Sequence, residues 1–117
     1  MNLKINSTNI KTPKFFQVTV LDIDSENTIR TADGSLTRDR IAVKRQIDIE
    51  WETLTMTEVS TILSAISGVF FNFYYPDPQE GSYATRSFYV GNRPAPIAIE
   101  KNGQIIWENL KMTFTQR

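Results

Sequence analysis

Asp22, Asp24 and Glu26 form an acidic run in which alternate residues of an extended chain point the same way. Asp22 and Asp24 would therefore face together, a plausible start for a hard-cation site. Calcium asks for roughly six to eight oxygen ligands, usually from a tight loop with a glycine, and no such loop follows at the required spacing. A solvated strand end explains the run better. Asp77 and Glu80, in "PDPQEG", are a second pair of carboxylates. Two prolines and a glycine around them describe a turn more simply than a general acid–base pair. Serine and threonine are plentiful, but the chain has no histidine, no cysteine and no Ser-x-x-Lys spacing to activate a hydroxyl. No Gly-rich loop cradles phosphate. The residues predict a protein that is not an enzyme and holds no metal or cofactor.

Arg38, Arg40, Lys44 and Arg45 could meet nucleic acid, yet the same segment turns acidic at Asp48 and Glu50, a reversal that a phosphate-reading surface does not normally carry. Thirteen basic and thirteen acidic residues cancel, so no whole-protein field recruits nucleic acid or anionic lipid. Such neutrality does little to oppose self-association. The N-terminus lacks the apolar region of a signal peptide, and the longest apolar run, "VFFNFYY", is far too short for a bilayer span. The expectation is one domain over 117 residues, made in the cytoplasm, without a membrane segment.

Several elements would position these residues. "PKFFQVTVLDI", residues 13–23, reads as a first strand with Phe16, Val18 and Val20 on one face. Residues 24–37 are polar, contain Asp33-Gly34, and are expected to form a flexible loop or hairpin arm. "LTMTEVSTILSAISG" carries the signature of a helix start, with Thr55 as cap and Glu58 three residues on. Leu54 and Val59 have the spacing of a hydrophobic staple. Val59, Ile62, Leu63 and Ile66 make one apolar stripe, which predicts packing on a sheet, and Gly68 stands where a left-handed residue would end the helix. "VFFNFYY" predicts a strand with bulk on both faces, Val69, Phe71, Phe73 and Tyr75 on one of them, either central or buried between two layers. "SYATRSFYV" is its antiparallel partner, "GNRPAP" an interruption, and Asn102-Gly103 a hairpin turn. "LKMTFTQR" closes the chain with Leu110, Met112 and Phe114 alternating. Six or seven strands and one helix predict a mainly β (α+β) fold, an antiparallel β-sandwich or split barrel flanked by a single α-helix.

"RDRIAVKRQIDIEW", residues 38–51, is the longest alternating stretch. Ile41, Val43, Ile47, Ile49 and Trp51 share one face, and Arg40, Ala42, Lys44, Gln46, Asp48 and Glu50 the other. Twelve residues of strand reach about 40 Å, more than the diameter of about 35 Å expected of a domain this size. Arg45 interrupts the apolar face, marking either a bulge or the point where the strand leaves its own core. The outer face is basic, then acidic, and can complement a copy of itself around a ring or across a twofold. Arg40, Lys44, Gln46, Asp48 and Glu50 are thus the candidate subunit interface.

"RIAVKRQIDIEWETLTMTEVSTIL", "FYYPDPQEGSYATRSFYVGNRPAPI" and "WENLKMTFTQR" together resemble a family of small proteins from the tail modules of phages and prophages of Gram-positive bacteria. The resemblance extends to the opening "LKINSTNIKTPK". It implies a non-enzymatic virion component located in the tail, with copies of itself and other tail proteins as partners. The strand–helix–strand order also resembles the tail-tube fold, which implies a homo-oligomeric ring at the tube or its distal end. Two other roles stay open: a tail-tip module whose aromatics, Phe70 to Tyr75, bind a host-surface glycan or protein, and a tail assembly chaperone.

Overall fold

The computed structural model describes residues 1–24, 29–30, 36–37, 40–91 and 96–117. In chain order the described elements are β1 (Lys4–Ile5), β2 (Thr8–Asn9), β3 (Phe15–Asp24), β4 (Ile29–Arg30), β5 (Leu36–Thr37), β6 (Arg40–Glu50) and β7 (Thr53–Thr55). After them come the helix α1 (Met56–Ala65), then β8 (Phe71–Asp77), β9 (Ser82–Val90), β10 (Ile97–Lys101), β11 (Gln104–Glu108) and β12 (Lys111–Gln116). Seven strands make one sheet in the order β2-β1-β8-β9-β12-β6-β3. A smaller sheet runs β10-β11-β7, and β4 pairs with β5. The fold is mainly antiparallel β with a single helix, and the large sheet curls without closing into a barrel.

The curl follows from which faces are apolar. Phe71, Phe73 and Tyr75 of β8, Phe88 of β9, Phe114 of β12 and Ile47 of β6 are all buried on one side. Phe73 sits at the centre, edge-on to Phe114 at 5.0 Å and to Phe88 at 6.0 Å, and stacked on Tyr75 at 5.5 Å. Such ring pairs add about 0.5–1.5 kcal/mol each beyond the area they bury. Phe16 of the outermost strand β3 also comes within 6.4 Å of Phe73, so the far edge of the sheet bends round towards β8.

α1 begins as its sequence demands. The Thr55 hydroxyl accepts from the Glu58 amide at 3.3 Å, and Glu58 Oε1 accepts from the Thr55 amide at 2.9 Å. Val59, Ile62 and Ile66 are buried against the core, with Leu54 ahead of the cap. The expected end is different. Ile66 closes the helix with φ −96°, its amide donating to the Ile62 carbonyl, and Gly68 is not among the left-handed residues. A Cβ on Gly68 would lie 3.3 Å from the Phe70 carbonyl oxygen, so closeness of backbone rather than a positive φ suits glycine there.

Two further expectations need correction. β8 starts at Phe71, leaving Val69 80% exposed in the preceding bend. β8 is interior to the sheet, but only one of its faces is covered. The outward Tyr74 is half-buried because it stacks on Tyr83 at 4.9 Å, under Lys4 Nζ at 5.7 Å from the Tyr74 ring. The strands also outnumber the six or seven expected, because β1, β2, β4, β5 and β7 are too short to show an alternating pattern. The hairpin at Asn102-Gly103 is as read: both residues have positive φ, 53° and 77°, as a two-residue type I′ turn requires.

β6 runs unbroken through Arg45. Its register with β3 is continuous from Phe15↔Glu50 to Ile23↔Ala42, and shifts only between Ile23 and Asp24. No bulge occurs at Arg45. The other alternative holds: β12 pairs with β6 only from Glu50 to Gln46, so from Arg45 outward β6 has, among the described residues, β3 alone beside it. The two strands leave the sheet as a ribbon. The molecule accordingly measures 69 × 25 × 24 Å, with a radius of gyration of 18.0 Å, against about 13 Å for a compact chain of this length. Most of the 24–37 segment, expected to be an arm, lies outside the described residues.

Candidate assembly interface

An open sheet leaves unpaired backbone groups at its edges, and those edges can pair with another chain. β3 is one edge of the large sheet and β10 one edge of the small sheet. β3 carries exposed Phe15, Val20 and Leu21, and β10 carries exposed Ile97 and Ile99. Where β3 curls back, a groove of about 660 Å³ separates Phe16, Gln17 and Val18 from the β8–β9 turn, lined there by Pro76, Pro78 and Tyr83.

The residues singled out on β6 lie on the outer face of the sheet. Lys44, Gln46, Asp48 and Glu50 are all half-buried, the last three flanked by β3 and β12 and Lys44 paired with β3. β6 is therefore interior: its outer face could meet a neighbour broadside, while edge pairing falls to β3. Arg40 is opposite Asp24 in the backbone register, and its side chain lies outside the described residues. The acidic end of the face is partly occupied within the chain. Asp48 Oδ1 accepts from Thr113 Oγ1 at 2.8 Å, and Glu50 lies 3.4 Å from Lys14 Nζ. Lys111 stands opposite Glu50 across the β12–β6 ladder. Lys14 and Lys111 thus soften a polarity that a single strand, read alone, exaggerates.

Sequence reading kept Arg45 apart from a cluster, centred on Asp77, to which the fold joins it. Asp77 follows Phe73 and Tyr75 on the inward face of β8 and is 2% exposed; Arg45 is 8% exposed. Arg45 Nε lies 3.1 Å from Asp77 Oδ2, an ion pair whose angle falls short of a hydrogen bond. The same oxygen accepts from the Tyr75 hydroxyl at 2.8 Å and from Arg86 Nε at 3.4 Å, and Arg86 Nη2 reaches Glu80 at 2.9 Å. Asp77 Oδ1 accepts from the amides of Gln79 and Glu80, and Gly81, at φ 70°, closes the turn onto the Asp77 carbonyl. Burial works to raise the Asp77 pKa, but the Tyr75 hydroxyl, the two turn amides and the Arg45 charge outweigh it and hold the carboxyl below its ordinary range. Burial, with the Asp77 hydrogen bond, pushes the Tyr75 hydroxyl up to about 12. Both oxygens of Asp77 are engaged, so the cluster ties strands together. An arginine on an apolar face, and an aspartate in step with buried aromatics, were the signals in the sequence.

Among the described residues no group of three or more acidic side chains converges as a metal site. The run Asp22, Asp24, Glu26 has side chains outside the described residues.

Comparison with known proteins places this geometry. A family model matches residues 2–117, and the chain belongs to DUF6711, a family of unknown function. No curated protein matches it. Among solved structures, a chain of the virion of native gene transfer agent (GTA) particle shares the fold with a TM-score of 0.56 and 11% sequence identity, over 99% of this chain and 91% of that one. At that identity the likeness is one of fold.

Proposed function

We propose that this DUF6711 chain is a non-enzymatic structural component of a bacteriophage tail, a subunit that assembles through its sheet edges into a ring at the tail tube or its distal end. The observation that carries the reading is the fold shared, over nearly the whole of both chains, with a protein of a virion particle. The open β3 edge, the exposed Ile97 and Ile99 on β10 and the elongated shape add to it, since each offers surface to a neighbour. On this reading the chain acts in the virion, after synthesis in the host cytoplasm, with its own copies and other tail proteins as partners.

Charge reversal tests the face of β6. With Asp48→Lys and Glu50→Lys combined, native mass spectrometry of the full chain at rising concentration should show discrete closed oligomers lost to monomer, while circular dichroism stays unchanged. An unaltered oligomer would mean that the face is merely solvated. A parent chain that stays monomeric yet retains affinity for the host cell wall would favour the tail-tip binding role instead.

A further inference from the structure

Arg45 is the first residue of β6 beyond its pairing with β12, which ends at Gln46. Its amide donates to the side chain at the end of β12, Gln116 Oε1, at 2.8 Å. Its guanidinium turns back to the body, with Nε 3.1 Å from Asp77 and Nη2 donating to Gln79 at 3.2 Å. β6 and β8 are not neighbours in the sheet, for β9 and β12 stand between them. The tie therefore crosses the concave side of the sheet at the root of the ribbon.

From this geometry we infer that Arg45 is a positioning residue that fixes the direction in which the β3/β6 ribbon leaves the body. Two observations favour this over plain stabilisation of the core. A buried ion pair pays desolvation, and a whole pair replaced by apolar residues of similar volume is often as stable or more so, so the pair is weak evidence of a stabilising role. Asp77, moreover, does not depend on Arg45 alone for compensation, because Arg86, Tyr75 and two amides also hold it. What Arg45 supplies is a connection between the ribbon and the β8–β9 turn. Two strands without further neighbours twist more freely than a sheet, and restraint at the root has the longest lever. The inference concerns the isolated chain and stands whether or not the chain forms rings.

The absence of cysteine makes the test clean. Thr37→Cys, just before β6, and Ser60→Cys, on the exposed side of α1, carry nitroxide labels, and electron–electron resonance measures their separation in the full chain. The parent should give one narrow distribution. Arg45→Met should about double its width, as a tie lost between two bodies broadens their relative positions, while the circular dichroism of the folded chain is kept. Arg45→Lys, which keeps the charge but not the fork, and Gln79→Ala, which removes only the turn's acceptor, should broaden it less. These two serve if Arg45→Met does not fold. Equal widths in the parent and every folded variant, or a parent already as broad as Arg45→Met, would overturn the inference.

Discussion

The two halves of β6 carry the same alternation and meet different ends. From Gln46 to Glu50 the strand lies between β12 and β3, and Ile47 and Ile49 are fully buried. From Arg45 outward β3 is its only strand neighbour among the described residues, and Val43, on the same face as Ile47, is half-buried. Side-chain period tells which residues share a face; what lies across that face decides burial. Arg45 stands at the change, the one position on this face where a charge replaces an aliphatic.

Substitution in each half is the strongest way to break the comparison. Ile47→Ala should cost about 2–5 kcal/mol in chemical denaturation, as expected for a buried aliphatic. Val43→Ala should cost about 1 kcal/mol or less, since a half-exposed side chain has less burial to lose. Equal costs would show that the outer half has a cover of its own.

Acid sharpens the role of the boundary. Asp77 has a depressed pKa in the fold, so the stability it contributes is complete above the ordinary carboxylate value and is lost as pH falls through its folded value. Thermal unfolding followed downward from about pH 4 should show this loss. Asp77→Asn should flatten it, leaving a smaller slope from Glu58, whose carboxylate the Thr55 amide holds below its usual range. An identical slope in the variant would assign the acid sensitivity elsewhere.

Much of the fold was legible because local chemistry and tertiary structure agree. Thr55 and Glu58 make the capping box, Asn102-Gly103 the hairpin, and Leu110, Met112 and Phe114 the buried side of β12. Short strands were not legible, for two or three residues show no period. Gly68 misled because glycine ends helices for more than one reason. The candidate interface was legible as a charged face but not as an environment: Lys14 pairs with Glu50 from just ahead of β3 and Lys111 stands opposite it on β12, at sequence distances no local pattern reports. Arg45 and Asp77 were each noticed, but their meeting depends on the curl of the sheet. The strand and helix content read from the sequence agrees with a fold that a chain of a virion particle shares.

The most direct measurement of the proposed role is quantitative mass spectrometry of particles purified from the host that carries this chain. A tail ring subunit should be present at a fixed number of copies per particle, in constant ratio to the other tail proteins. Its absence from intact particles, with abundant chain left in the lysate, would contradict a structural role and point to a factor that acts only during assembly.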